Sequence, residues 1–182
     1  MGTATASSTS LAELRRVAGA VNDPEIPVLT LDDLGIVRDV RWGEGGDDSA
    51  LLVELTPTYT GCPATAVIAG DVEAALQAAG VGLVRVRTVL SPAWTTDWIS
   101  DDGRRKLREF GIAPPGRCGP GGSAVEPAPA AARSPVGLTL SVRCPRCGSG
   151  RTREVSRFGS TPCKSHWTCR ACLEPFDSFK TI

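Results

Sequence analysis

The sequence predicts an α+β fold: a small αββαβα domain followed by a short, separate β domain. Three observations predict it. Apolar residues recur at helical spacing, then alternate at strand spacing, then return to helical spacing within residues 11–113. A run rich in Pro, Gly and Ala follows, at 114–137. Beyond it, residues 138–182 read as strand-like runs broken by two pairs of cysteines. The domains are therefore placed at 11–113 and 138–182, with 114–137 as the linker.

Leu11, Leu14, Val17, Ala18 and Val21 follow the 3.6 period, and Ser10 is the natural cap of that helix. Asn22-Asp-Pro-Glu-Ile-Pro27 stops it. Ile36, Val40 and Trp42 mark a strand, Glu44-Gly-Gly-Asp47 a hairpin turn, and Leu51, Val53 and Leu55 the returning strand. Thr56–Gly61 reads as a loop. Pro63–Ala79 is a helix, because Pro63 supplies the fixed φ its first turn needs. Val81–Val89 is a third strand, and Trp94–Phe110 a Trp-bearing loop with a short basic helix. About 100 residues of this kind suffice for one modest core.

Pro114–Val136 holds six Pro, four Gly and five Ala among 23 residues. Such a stretch buries too little apolar surface to offset its ordering entropy, so it reads as a semi-extended linker. The roughly 45 residues after it are too few for a self-sufficient apolar core. Something must staple them. Cys144-Pro-Arg-Cys147 and Cys169-Arg-Ala-Cys172, with 21 residues between them, bring four thiolates together as a tetrahedral structural zinc site requires. Gly148 lets the first knuckle turn back. The second domain is thus a zinc ribbon, although the same ligands suit a single iron, and a disulfide pair is the remaining alternative. Arg143, Arg146, Arg151 and Arg170 offset the negative charge of a four-thiolate zinc. Cys163 is either a small buried hydrophobe or an auxiliary thiol near the metal. His166 reads as a surface or packing residue, and Cys118 in the linker as incidental.

The chain has 20 Lys+Arg against 20 Asp+Glu, so non-specific attraction of the whole chain to nucleic acid or membrane is not expected. Residues 137–182 are formally +5 and residues 1–136 formally −5, which suits two modules with different tasks. No apolar run approaches the ~18 residues of a membrane span, and Met1–Ser10 lacks the marks of a signal peptide. A cytoplasmic protein with reduced thiols is expected. One His, no P-loop and no Gly-x-Gly-x-x-Gly leave no catalytic constellation, so an enzyme acting alone is not expected.

The first domain holds one informative corner, Thr58-Tyr-Thr-Gly-Cys62-Pro-Ala. A cysteine just before a helix sits at the positive end of the macrodipole, which favours its thiolate. Cys62 is therefore a candidate nucleophile or metal thiolate, the alternative being a buried residue that merely starts the helix. Asp23 and Glu25 belong to an acidic turn, read either as capping carboxylates or as lining for a pocket around Cys62. The run Arg104-Arg-Lys-Leu-Arg108 reads as a solvated helix face.

Asp23-Pro-Glu-Ile-Pro27, Asp33-Leu-Gly-Ile-Val37, Thr60-Gly-Cys-Pro63 and Ser91-Pro-Ala-Trp94 resemble the small α+β domain of SufT-like and eukaryotic cytosolic iron–sulfur targeting proteins. Joined to a ribbon reading Phe158-Gly-Ser-Thr-Pro-Cys163 and Cys172-Leu-Glu-Pro-Phe-Asp177, they are similar to the PaaD (or PaaJ) family. The resemblance implies an accessory subunit of the bacterial phenylacetyl-CoA epoxidase system. Such a subunit assists maturation of its iron–sulfur cluster in aerobic phenylacetate breakdown and does not perform the epoxidation. It further implies Cys62 as the cluster-handling thiolate, Asp23 and Glu25 as its acidic motif, and Cys144, Cys147, Cys169 and Cys172 as ribbon ligands. The implied cofactors are a structural zinc and a transient iron or iron–sulfur cluster. The implied partners are the other epoxidase subunits, above all the iron–sulfur flavin reductase, with neither membrane nor nucleic acid among them.

Two rival readings stay open. The first is a nucleic-acid-binding or scaffolding zinc-ribbon protein, since the ribbon is basic. The second is a thiol redox enzyme, which would need a resolving cysteine near Cys62.

Overall fold

In a computed structural model, residues 10–43, 50–116 and 142–182 are described. The expected hairpin turn at Glu44–Asp47, most of the linker and Cys118 lie outside them. The fold is mixed α+β, and the chain divides into two units between Trp94 and Thr95.

The first unit opens with α1 (Leu11–Gly19). The Ser10 hydroxyl accepts from the Glu13 N–H at 3.2 Å, the cap expected of it, and Leu14 and Ala18 carry the buried face. Asp23 then turns the chain. Its Oδ1 accepts from the N–H groups of Glu25 and Ile26, both at 2.8 Å, and its own N–H reaches the Leu29 carbonyl at 2.9 Å. A single turn, α2 (Leu31–Leu34), follows, with Thr30 and Asp33 capping each other reciprocally. Gly35 ends it at φ 66°, in the left-handed region that strains any residue with a Cβ.

Strand β1 (Val37–Trp42) pairs antiparallel with β2 (Ala50–Leu55), and β2 pairs parallel with β3 (Leu83–Thr88). A parallel return needs a crossover, which α3 (Thr65–Ala78) provides. Period-2 alternation puts Leu51, Val53 and Leu55 into the core. On the other face Asp39, Glu54 and Arg87 stand in register across the three strands. Arg87 and Arg41 both bridge Glu54 and hold its carboxyl below the usual carboxylate range. The buried Trp94 indole N–H donates to the Leu34 carbonyl at 2.7 Å, tying two of the sequence motifs together.

In the second unit the structure departs from the sequence reading. Residues 95–113, assigned above to the first domain, fold with the ribbon. A 3-10 turn (Thr96–Trp98) leads to α4 (Asp101–Glu109) and to β4 (Ile112–Ala113). The ribbon strands are β5 (Thr152–Ser156), β6 (Lys164–Cys169) and β7 (Pro175–Phe179). One sheet of order β4-β7-β6-β5 results, with β4 parallel to β7. The physical reason is the shortage of apolar residues in the ribbon. Ala113 completes a cluster with Cys144, Cys169 and Phe176, and Ile99, Leu107 and Ile112 are also buried in this unit.

The basic run on α4 is likewise corrected. Arg105 is exposed and bridges Asp102 and Glu109, as a solvated face would. Arg104 is buried, donating to the carbonyls of Thr96 and Pro115 at 2.6 Å each. Leu107 and Arg104 stand three residues apart, so one helix face turns inward. The first unit thereby loses the last helix of the expected αββαβα order and gains the short α2.

Leu107 is fully buried, so Leu107→Ala should cost about 2–5 kcal/mol. In calorimetry of the full chain, that loss should appear in the transition that a chelator abolishes. A shift confined to the other transition would return α4 to the first unit.

Candidate metal centre and thiol loop

The β6–β7 turn and the segment before β5 each present a Cys-x-x-Cys knuckle. The Cys144 and Cys172 Sγ atoms lie 3.8 Å apart, those of Cys147 and Cys169 3.6 Å apart, and all four fall within 4.8 Å of one another. Four sulfurs each about 2.3 Å from a zinc ion sit about 3.8 Å apart along the tetrahedral edges. The donor set therefore fits zinc. All four are free cysteines, and their separations far exceed the ~2.05 Å of a disulfide. A closed four-thiolate set leaves no open coordination position, so zinc bound here supplies a structural staple.

The two knuckles share one backbone plan. The Cys144 N–H donates to the Ser149 carbonyl at 3.0 Å, and the Cys169 N–H to the Glu174 carbonyl at 2.9 Å, the same span in each. The residue just after the second cysteine of each knuckle is left-handed: Gly148 at φ 71° and Leu173 at φ 64°. Glycine is at ease there, whereas a leucine is strained by about 1–2 kcal/mol. The N–H groups of Cys172 and Ala171 draw the Cys169 thiol down to about 6. At Cys172 the Glu174 N–H pulls downward, but the neighbouring thiols carry it up to about 12.

Cys163 does not belong to this cluster. It precedes β6 at the end opposite Cys169, and six strand steps separate the two by about 20 Å. Its Sγ lies 3.0 Å from the Thr161 hydroxyl, and its carbonyl accepts from the Lys180 N–H. An auxiliary thiol beside the metal is therefore not its place. His166 Nδ1 meets Asp177 Oδ1 at 3.1 Å, and the Ser160 hydroxyl donates to the other oxygen of Asp177 at 3.1 Å. That set depends on the register of β6 with β7, which sequence spacing does not reveal.

Cys62 lies in the first unit, on the loop between β2 and α3. Its N–H donates to the Tyr59 carbonyl at 3.1 Å, and its carbonyl accepts from the N–H and hydroxyl of Thr65 at 3.3 and 2.9 Å. Both sides of its backbone are thus fixed, while the residue stays half-buried. The helix starts at Thr65, two residues later than expected from Pro63, and has no side-chain cap. Beside the loop, Ile36, Leu55, Pro57, Thr65 and Ile68 line a shallow apolar dimple whose enclosed space is only about 10 Å3. Such a dimple is too small to enclose a metabolite. Ile36 brings the Asp33-Leu-Gly-Ile-Val37 motif to the dimple, a link that sequence spacing alone did not expose. Asp23 is buried and closes its own turn, and Glu25 is half-buried within that turn.

No helix among the described residues is long and apolar enough to cross a membrane. Residues 128–180 match the family model of the PaaD zinc beta ribbon domain, and residues 11–89 that of the iron–sulfur cluster assembly protein. An Escherichia coli (strain K12) protein named as one of the subunits of 1,2-phenylacetyl-CoA epoxidase is 43% identical over 180 residues, 98% of each chain. Among solved structures, a domain of unknown function (DUF59) from Bacillus anthracis is 27% identical, covering 53% of this chain and 90% of its own, with a TM-score of 0.47. A Mycobacterium tuberculosis protein described as associated with Fe–S complex assembly and repair is 32% identical, covering 61% and 97%, with a TM-score of 0.35.

Because zinc binds thiolates and the neighbouring thiols raise the Cys172 pKa, zinc loading at pH 7 should displace protons. Zinc affinity should therefore rise with pH across the neutral range. Titration calorimetry in buffers of different ionisation enthalpy measures the released protons. A proton count of zero, or affinity flat with pH, would contradict a four-thiolate site.

Proposed function

The chain belongs to the PaaD family, and from that premise we propose that it is an accessory, maturation-type factor of a phenylacetyl-CoA epoxidase system. In this reading it assists iron–sulfur cluster assembly on a partner subunit, and the iron–sulfur flavin reductase is the client. It performs no epoxidation itself.

The observation that carries the reading is the setting of Cys62. A thiol that receives iron and passes it on must be reachable, yet presented from a fixed backbone. Cys62 meets both conditions, being half-buried and held on both sides by hydrogen bonds. Iron or a small cluster is cargo here, distinct from the zinc that staples the ribbon. Asp23 closes its own turn, and in this reading Glu25 is the acidic group that the turn offers to a client or to iron.

The basic ribbon favours nucleic acid by charge alone, but its aromatics speak against stacking on bases. Phe176 and Phe179 are buried, and Trp167 packs on the cysteine cluster. The exposed Phe158 ring carries the Lys180 ammonium 4.4 Å from its centroid. A thiol redox role would need a second cysteine near Cys62, and residues 1–94 contain no other.

Cys62→Ser should fold and keep its zinc, with a stability cost of about 1 kcal/mol or less. Cells carrying it should fail to grow on phenylacetate, with the reductase short of its cluster, whereas Cys118→Ser should be silent. Normal growth with a fully loaded reductase would remove Cys62 from the chemistry.

A further inference from the structure

The two knuckles make one comparison possible within a single chain. Each runs Cys-x-x-Cys and closes with the same hydrogen bond, from the first cysteine's N–H to the carbonyl five residues on. Gly148 and Leu173 thus occupy the same left-handed position, at φ 71° and φ 64°. The first knuckle fills it with the residue that suits it. The second fills it with a leucine, the only non-glycine residue at positive φ among the described residues.

Folding does not account for that choice. A leucine contributes to stability by burying its side chain, and Leu173 is 77% exposed, more than any other large apolar residue described. Its backbone is strained as well. A residue that is unfavourable for both backbone and solvation, set on a rigid metal-held turn, is suited to contact with something outside the chain. The surroundings define the partner's chemistry. Arg143, Arg146, Arg151 and Arg170 are all exposed on the two knuckles and their flanks. The formal charge of residues 137–182 is +5, and it stays positive at +3 once four thiolates on zinc contribute −2. Arg146 is bridged to Glu174 at 2.6 Å, next to Leu173 in the chain, which places a guanidinium at the edge of the apolar tip.

We propose that Leu173 is the apolar anchor of a docking surface on the second knuckle, and that its occupant is a protein subunit offering an apolar pocket rimmed by carboxylates. Resting on the function proposed above, that subunit is another component of the phenylacetyl-CoA epoxidase system. The leucine fills the pocket, the arginines meet the rim, and the zinc keeps the turn rigid, so little ordering cost falls on binding. This gives the ribbon a task separate from that of Cys62: it holds the client while the thiol acts.

The test measures binding of the zinc-loaded full chain to each purified epoxidase subunit, for wild type and three variants. Leu173→Gly removes the side chain and relieves the backbone. Leu173→Asn also tolerates the left-handed conformation but is polar. Leu173→Met keeps an apolar side chain. The expected result is a loss of about tenfold or more in affinity for Gly and Asn, with Met close to wild type. Wild-type binding should weaken as salt is raised. Zinc content should be unchanged and the melting temperature of the Gly variant no lower than wild type. Equal binding by the Gly variant would overturn the anchor and leave the maturation role standing. A loss of zinc or of thermal stability in that variant would make Leu173 structural and overturn it too. A change from dimer to monomer would show the occupant to be a second copy, against the proposal. If wild type binds no epoxidase subunit, the proposed partnership fails, and this inference fails with it.

Discussion

Four sulfur atoms confined within 4.8 Å of one another are the constraint on which the second half of the chain depends. Residues 142–182 have little apolar material to bury. Their main cluster is Cys144, Cys169 and Phe176, with Val142 and Trp167 at its margin. A metal bound by four thiolates replaces the missing hydrophobic free energy, since its binding energy is folding energy in a module of this size. Even so the ribbon recruits help. β4 extends its sheet beside β7, and the buried guanidinium of Arg104 joins the carbonyls on either side of α4.

The two thiol sites divide the chemistry by coordination. The ribbon cysteines form a closed set, two of them buried, and a metal held there has no position left for exchange. Cys62 is a single half-buried thiol whose backbone is fixed but whose sulfur belongs to no such cluster among the described residues. A closed site suits permanence and an open one suits transfer. That contrast supports reading the ribbon as the holding module and the first unit as the handling module.

Much of this was legible in the sequence because the governing signals are local. Ser10 announces its helix by one hydrogen bond within four residues, and the knuckle spacing dictates four converging thiols. The alternation of Leu51, Val53 and Leu55 places a strand without knowledge of its neighbours. What escaped depends on distant pairing. Nothing near Ile112 signals that two residues will add a strand beside Pro175–Phe179, so composition put the boundary at the linker and not at Thr95. Arg104 looked like one more charge on a solvated helix, because its carbonyl partners come from segments on both sides of that helix. Cys163 looked close to the metal because it lies six residues from Cys169, but an extended strand turns six residues into about 20 Å.

A metal on the four cysteines staples α4 and β4 together with the ribbon. Hydrogen exchange on the full chain, zinc-loaded and then chelated, measures this amide by amide. Metal removal should abolish protection in β5, β6 and β7 and equally in residues 101–113, while β2 and α3 keep theirs. Protection retained in 101–113 after the zinc has gone would contradict it.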